Sequence, residues 1–348
     1  MTNKKDDTGK NAYLLKVENL SKLYPIRTGV FKRVSGHVTA VKDASFGIRT
    51  GETLGLVGES GCGKSTCGKC ICRMERPTAG KVLFRGLDFA ALSDSELKAH
   101  RSAIQMIFQN PYASLNPRMS VYRILDEPMR INLDLDAVAR RERIYQLLDM
   151  VGLSSAHARQ YPHEFSGGQR QRIAIARAIS IGPSLIVADE AVSALDVSIQ
   201  SQILNLMSAL KKRLALSYLF ISHDLSVIKH VSDKVAVMYL GRIVESAEKE
   251  ALFAAPLHPY TRALLSAIPR PGVFDEPGEP GQAQSGRIIL KGDVPSPDNP
   301  PPGCVFHTRC PEVMPVCSQA APETVEAADG HTVKCHLYGG LAKGGEAA

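Results

Sequence analysis

The sequence predicts an α/β fold, a parallel sheet covered by helices, followed by a small loop-rich extension. Three observations carry this. Up to about residue 270, short apolar runs alternate with amphipathic segments, the pattern of strands buried between layers of helix. One of those runs opens directly into a glycine-rich loop. Beyond residue 270 the periodicity stops, and residues 271–348 hold 11 of the 21 prolines and 11 of the 28 glycines, a composition that marks a boundary.

The polar start, MTNKKDDTGKN, reads as a disordered N-terminus over residues 1–13 and has no apolar core of a secretory leader. Residues 14–270 form the main domain. Candidate strands are Thr53 to Val57, Ile104 to Phe108, Leu185 to Ala188 and Tyr218 to Ile221, each short, apolar and followed by polar residues. Helical spacing is clear at Ile144, Leu147, Leu148 and Val151, and again at Ile203, Leu206, Met207, Leu210 and Leu214, so both faces are expected in the core. Lys234 to Glu245 reads as two strands around a Leu240-Gly241 turn. At 348 residues the chain is about twice the roughly 150 residues of one domain, consistent with a principal and a minor unit. No stretch approaches the roughly 18 uninterrupted apolar residues of a membrane-spanning helix. The net charge of +7 divides unevenly: the tail after residue 270 is −5 and the rest is +12. The basic residues are scattered without an aromatic-interleaved patch, which argues against nucleic acid and leaves phosphate ligands or an acidic membrane surface.

Gly58 to Thr66 reads GESGCGKST, a G-x-x-x-x-G-K-S loop placed directly after the apolar run TLGLV and before a helical stretch. Glycines let successive backbone N–H groups turn inward around phosphate oxygens, and the positive end of the following helix dipole adds to the attraction. The candidate nucleotide-binding residues are Gly58, Ser60, Gly61, Cys62, Gly63, Lys64, Ser65 and Thr66, with Lys64 reaching the β/γ-phosphates and Ser65 ligating magnesium. LIVADE, Leu185 to Glu190, is a buried strand with two acids at its carboxyl end, where α/β sheets place ligands. Asp189 is expected to hold magnesium and Glu190 to act as general base for the attacking water. Phe165 to Gln169, FSGGQ, precedes an arginine-rich helix. Ser166 is expected to cap it while the two glycines bare N–H groups, making a second anion-binding end.

With these residues in place, the sequence strongly resembles the ATP-binding cassette ATPases over residues 14–270, a family in which two such domains sandwich two ATP molecules head to tail. The resemblance implies a helical subdomain at about 110–165. It also implies that Ser166, Gly167, Gly168 and Gln169 contact the γ-phosphate of ATP on a partner's phosphate loop. Gln109 in IFQNP becomes the magnesium and coupling glutamine, Ser193 to Asp196 a dimer-crossing loop, His223 in ISHD the γ-phosphate switch, and Tyr24 the aromatic that stacks on adenine. Ala191 departs from the family's usual proline after the catalytic Glu, which removes no catalytic group. FQNPYASLNPR, MYLGRIVE and HPYTRALLSAIP together resemble ATPase subunits of dipeptide/oligopeptide permeases, and specifically the second of the two nonidentical ATPases such systems often carry. That implies a heterodimer with a second homologous ATPase, two transmembrane permease subunits above it, an external peptide-binding protein acting indirectly, and a peripheral place on the cytoplasmic face of the inner membrane. Nickel, glutathione or haem are alternative cargoes, because cargo contacts lie on other chains. A DNA-repair or chromosome-organising ATPase needs a long insertion between the phosphate loop and FSGGQ, and only 107 residues separate Gly58 from Ser166.

The eight cysteines fall into two groups. Cys62, Cys67, Cys70 and Cys72 superficially match a ferredoxin spacing, but they lie on the phosphate loop and its helix, where no loop can wrap a cluster. They are expected to be buried thiols, Cys62 being open to oxidation beside the nucleotide. Cys304, Cys310, Cys317 and Cys335 lie in the proline-rich tail, where a metal would supply stability that apolar burial cannot. Spacing leaves zinc and iron open, with His307, His331 and His336 as competing zinc ligands. The resemblance to permease ATPases implies a 4Fe-4S cluster, zinc remaining the alternative.

Overall fold

The computed structural model describes residues 13–28, 33–268, 288–328 and 330–339. Of the expected disordered residues 1–13, residues 1–12 lie outside the described residues, as does the exact boundary near 270, whereas Tyr13 begins a strand. In chain order the strands are β1 (Tyr13–Thr28), β2 (Arg33–Arg49), β3 (Thr53–Val57), β4 (Ala79–Phe84), β5 (Leu87–Asp88), β6 (Ile104–Ile107), β7 (Leu185–Asp189), β8 (Ser217–Ser222), β9 (Lys234–Tyr239), β10 (Arg242–Glu248), β11 (Val325–Ala328) and β12 (His331–Val333). The helices are α1 (Lys64–Ile71), α2 (Asp94–Lys98), α3 (Pro111–Ser114), α4 (Val121–Asn132), α5 (Ala137–Met150), α6 (Gly167–Ile179), α7 (Val197–Leu214), α8 (Leu225–Val231), α9 (Lys249–Ala254) and α10 (Pro259–Ser266).

The apolar runs at β3, β6, β7 and β8 form the expected parallel sheet, with β9 joining β3 in parallel as well. Strands β3, β7 and β8 are buried along their whole length, so their side chains need no polar alternation. Leu240 and Gly241 both have positive φ, 43° and 74°, the backbone twist that a two-residue hairpin turn between β9 and β10 demands. The apolar spacing of α5 buries Ile144, Leu147 and Leu148, with Val151 as C-cap. On α7, Ile203, Met207 and Leu210 are buried, whereas Leu214 is 37% exposed at the helix end and is not a core residue.

Two features go beyond the expected architecture. A separate antiparallel sheet, ordered β2-β1-β4-β5, covers α1. The tail is also not a free appendage: the main sheet runs β11-β12-β10-β9-β3-β8-β7-β6, so two tail strands extend its antiparallel edge. Val305 and Phe306 of the tail enter the same core as α5, α6 and α7. The second core, built from Leu15, Leu20, Ile48, Leu56 and Ile71, lies between the antiparallel sheet and α1.

Candidate functional site

The phosphate loop leaves β3 at its carboxyl end and closes at Gly63, whose φ of 105° suits glycine. A Cβ at Gly63 would collide with the Ala40 carbonyl, and one at Gly58 with the Met238 carbonyl, so both positions require glycine. Ser65 and Thr66 occupy the first turn of α1, directing its unpaired N–H groups toward the loop. Lys64 is buried, and its Nζ donates to the carbonyls of Gly58 at 2.8 Å and Glu59 at 2.9 Å. The ammonium is therefore held over the loop by neutral acceptors that phosphate oxygens can replace.

Asp189 ends β7 beside this loop. Its Oδ1 accepts from Ser65 Oγ at 2.7 Å, across 124 residues of sequence. Burial pushes its carboxyl above its ordinary value, with the Ser65 hydrogen bond opposing the shift. A buried carboxylate sharing a serine hydroxyl fits a divalent cation, since the cation supplies the missing positive charge. Glu190 has φ of 46°, a left-handed conformation costly for a residue with a side chain. The turn is fixed by Glu190 N–H donating to Ile221 O at 2.9 Å and by Ser193 Oγ donating to Glu190 O at 3.0 Å. The left-handed step lets consecutive acids take different tasks. Glu190 Oε2 accepts from Gln109 Nε2 at 2.9 Å, and Oε1 lies 3.1 Å from His223 Nδ1. Residues 109, 190 and 223, remote in sequence, thus meet at the carboxyl ends of three parallel strands.

Ser166 caps α6 as expected: its Oγ accepts from Gln169 N–H at 3.3 Å while Gln169 Oε1 accepts from Ser166 N–H at 3.0 Å, a reciprocal capping box worth about 1 kcal/mol. Gly168 packs against Ile199 so closely that a side chain would clash with it. Among the described residues no hydrogen bond or ion pair joins Ser166, Gly167, Gly168 or Gln169 to Gly58–Thr66, so the second anion-binding end does not complete the first within one chain. Asp196 is exposed at the start of α7. Tyr24 on β1 is half-buried, with Lys22 Nζ 4.7 Å over its ring and its hydroxyl interacting with Thr66, which puts the ring at the edge of the phosphate site.

The description "ABC transporter" matches residues 41–193, and "Oligopeptide/dipeptide transporter, C-terminal region" matches residues 244–317. The oligopeptide transport ATP-binding protein AppF of Bacillus subtilis is 52% identical over 326 residues, covering 93% of this chain and 97% of the relative. The chain belongs to the ABC transporter family. The dipeptide transport ATP-binding protein DppF of Escherichia coli is 48% identical over 324 residues, 92% of this chain and 93% of its own length. A dimeric ATP-binding cassette solved in a post-hydrolysis state with ADP and Pi superposes with a TM-score of 0.61 at 28% identity, over 68% of this chain and 98% of that one.

The cysteine expectations need correction. Cys62, Cys67 and Cys70 are buried thiols, as expected, whereas Cys72 is only partly buried; burial pushes the Cys62 thiol above its ordinary value, which disfavours the thiolate that oxidation requires. Cys304, Cys310, Cys317 and Cys335 do come together. Burial raises the thiols of Cys304, Cys310 and Cys335, the last to about 11, and each is raised further by others of the four. Yet among the described residues no group of three or more His, Cys, Asp or Glu side chains is placed to hold a metal ion. The four are neighbouring free thiols. The histidines offered as zinc ligands have other roles: His331 Nε2 lies 2.8 Å from Glu245 Oε1, His307 Nδ1 lies 2.8 Å from Cys304 O, and His336 Nε2 lies 2.9 Å from Ala320 O.

Sequence reasoning missed the structural task of HPYT. His258 caps α10 by accepting from Tyr260 N–H at 3.1 Å, and Glu245 accepts from the Leu257 and His258 N–H groups. Tyr260 reaches back to the phosphate loop, its hydroxyl accepting from Glu59 N–H at 2.9 Å. A His-Pro pair opening a helix was the available signal.

Proposed function

We propose that this chain is the ATP-hydrolysing subunit of an importer of dipeptides or oligopeptides, working with partner permease subunits and a second ATPase. The observation that carries the reading is the separation of the two anion-binding ends. Lys64, Ser65, Asp189, Gln109, Glu190 and His223 converge on one site, while among the described residues the capped start of α6 has no hydrogen bond or ion pair to the phosphate loop. Head-to-tail pairing with a second ATPase completes both. The cargo reading rests on the oligopeptide and dipeptide transport relatives and on the matched C-terminal region.

In this mechanism the phosphate-loop N–H groups and Lys64 bind the ATP phosphates, and Tyr24 supports the base. Ser65 and Asp189, with Gln109 nearby, would hold magnesium, which would supply neutralising charge to the phosphates. Glu190 accepts a proton from the attacking water, with Gln109 and His223 orienting its carboxylate. Asp196, at the end of the Ser193–Asp196 loop, faces the partner across the dimer. A groove of about 680 Å³ lined by Met74, Phe108, Ile131 and Arg177 next to Gln109 suits a permease segment, because Met74 and Ile131 are exposed apolar residues at its rim. Residues 14–270 serve as the ATPase domain, with the helices between about 110 and 165 as its helical subdomain. That docking places the chain peripherally on the cytoplasmic face of the membrane. The mutual proximity of the tail thiols supports their capture of a metal, and the resemblance to permease ATPases favours a 4Fe-4S cluster, with zinc as the alternative. Loading requires those thiols to deprotonate.

Copurification with membrane subunits, followed by comparison of ATPase rates for the free chain and the reconstituted complex, tests the reading. Activation in the complex with peptide and its external binding protein is expected. Full, peptide-independent activity from a strict monomer overturns it.

A further inference from the structure

We infer that Arg309 of the C-terminal extension is a positioning residue for the phosphate loop, acting through Glu59. Arg309 Nη1 donates to Glu59 Oε2 at 2.8 Å and Nη2 to Oε1 at 3.2 Å, a two-pronged pair spanning 250 residues. The Arg309 side chain is only 9% exposed and that of Glu59 26%, so water screens the pair weakly. Glu59 is the second residue of GESGCGKST, and all three of its polar groups are engaged. Its carboxylate takes Arg309, its N–H donates to Tyr260, and its carbonyl accepts from Lys64. Two of those three partners belong to the family's second matched region, whereas the phosphate loop lies in the first.

The backbone that carries Arg309 is itself anchored. The Arg309 backbone N–H donates to Phe306 O, and Phe306 packs against Tyr239 and Tyr260 with ring centroids 5.2 Å and 5.4 Å away. The extension is anchored to the ATPase core by other contacts too: β12 pairs with β10, Thr39 N–H donates to Pro297 O, and Arg262 reaches Glu312 and Tyr338. Removing Arg309 alone therefore leaves the extension docked. What it does change is the loop. An unpaired carboxylate two residues from Gly61 repels the phosphates that the neighbouring N–H groups attract, and the loop loses a tether fixing those groups in place.

The test is a double-mutant cycle on the full chain, reading the dissociation constant for Mg-ATP, with kcat and KM measured in the assembled transporter. Arg309→Ala is expected to raise the ATP dissociation constant and KM about tenfold, the scale of one charge-assisted bond, with kcat at saturating ATP nearly unchanged. Adding Glu59→Ala to that variant is expected to recover most of the loss, because the repelling carboxylate is gone. A merely structural role predicts neither the split between KM and kcat nor the recovery. An unchanged ATP affinity in folded Arg309→Ala protein overturns the inference, as does an equal loss in the Glu59→Ala background. Arg309→Lys, which keeps the charge without the fork, carries the same comparison should Arg309→Ala fail to fold.

Discussion

Replacing Glu190 by Gln isolates the chemical step from nucleotide binding. The amide is isosteric, keeps one oxygen acceptor for the contacts now made with Gln109 at 2.9 Å or His223 at 3.1 Å, and adopts the positive φ no less readily than Glu. Lys64, Ser65 and Asp189, proposed to hold the phosphates and magnesium, make no hydrogen bond to the Glu190 side chain among the described residues. Binding should survive. What disappears is the basic oxygen that accepts the water proton, and a lost general base costs about 10² to 10⁴ in rate, roughly 3 to 5 kcal/mol of barrier. Single-turnover phosphate release from the assembled transporter, set beside the ATP dissociation constant, separates the two quantities. The expected result is trapped ATP with slow release, whereas Lys64→Ala weakens binding itself. Turnover of Glu190→Gln close to that of the natural chain refutes the assignment of the base.

Ser166→Arg places bulk and charge where a partner's phosphate loop must dock, so ATP binding in the same chain should persist while stimulation by the partner ATPase is abolished; size measurement with ATP in a Glu190→Gln background reports the missing dimer. Burial lowers the His258 pKa from 6.5 to about 3, so the folded protein refuses a proton that the unfolded chain accepts. Its contribution is fully present above pH 6.5 and declines as pH falls from there toward about 3. His258→Asn preserves an acceptor for Tyr260 N–H and should flatten this acid limb of thermal stability, seen by melting at successive pH values. Protein purified without oxygen should carry about four iron and four sulfide per chain if the tail thiols take a 4Fe-4S cluster; Ser at any of Cys304, Cys310, Cys317 or Cys335 should lose the colour with ATP binding intact. Stoichiometric zinc without sulfide reverses the choice of metal, and metal-free protein from iron-replete cells ends the proposal.

The parallel strands were legible because burial on both faces writes itself as uninterrupted apolar runs, as in TLGLV and LIVAD. The antiparallel sheet was not, because β1 and β2 are long, irregular and broken by repeated register shifts between Val17 and Lys22, which blur any period of two. GESGCGKST and FSGGQ announced their chemistry locally, since a phosphate-binding loop is built from its own backbone and the helix that follows. By itself the sequence located the phosphate loop, the Asp189-Glu190 pair, the FSGGQ segment and the tail's distinct composition. Only the tertiary structure decided that Gln109 and His223 share the Glu190 carboxylate, that His331 belongs to Glu245, and that the tail completes the sheet and brings Arg309 to the phosphate loop. Those pairings join residues 33 to 250 positions apart, and a periodic pattern of hydrophobicity carries no information about which distant side chains will meet once the strands are ordered.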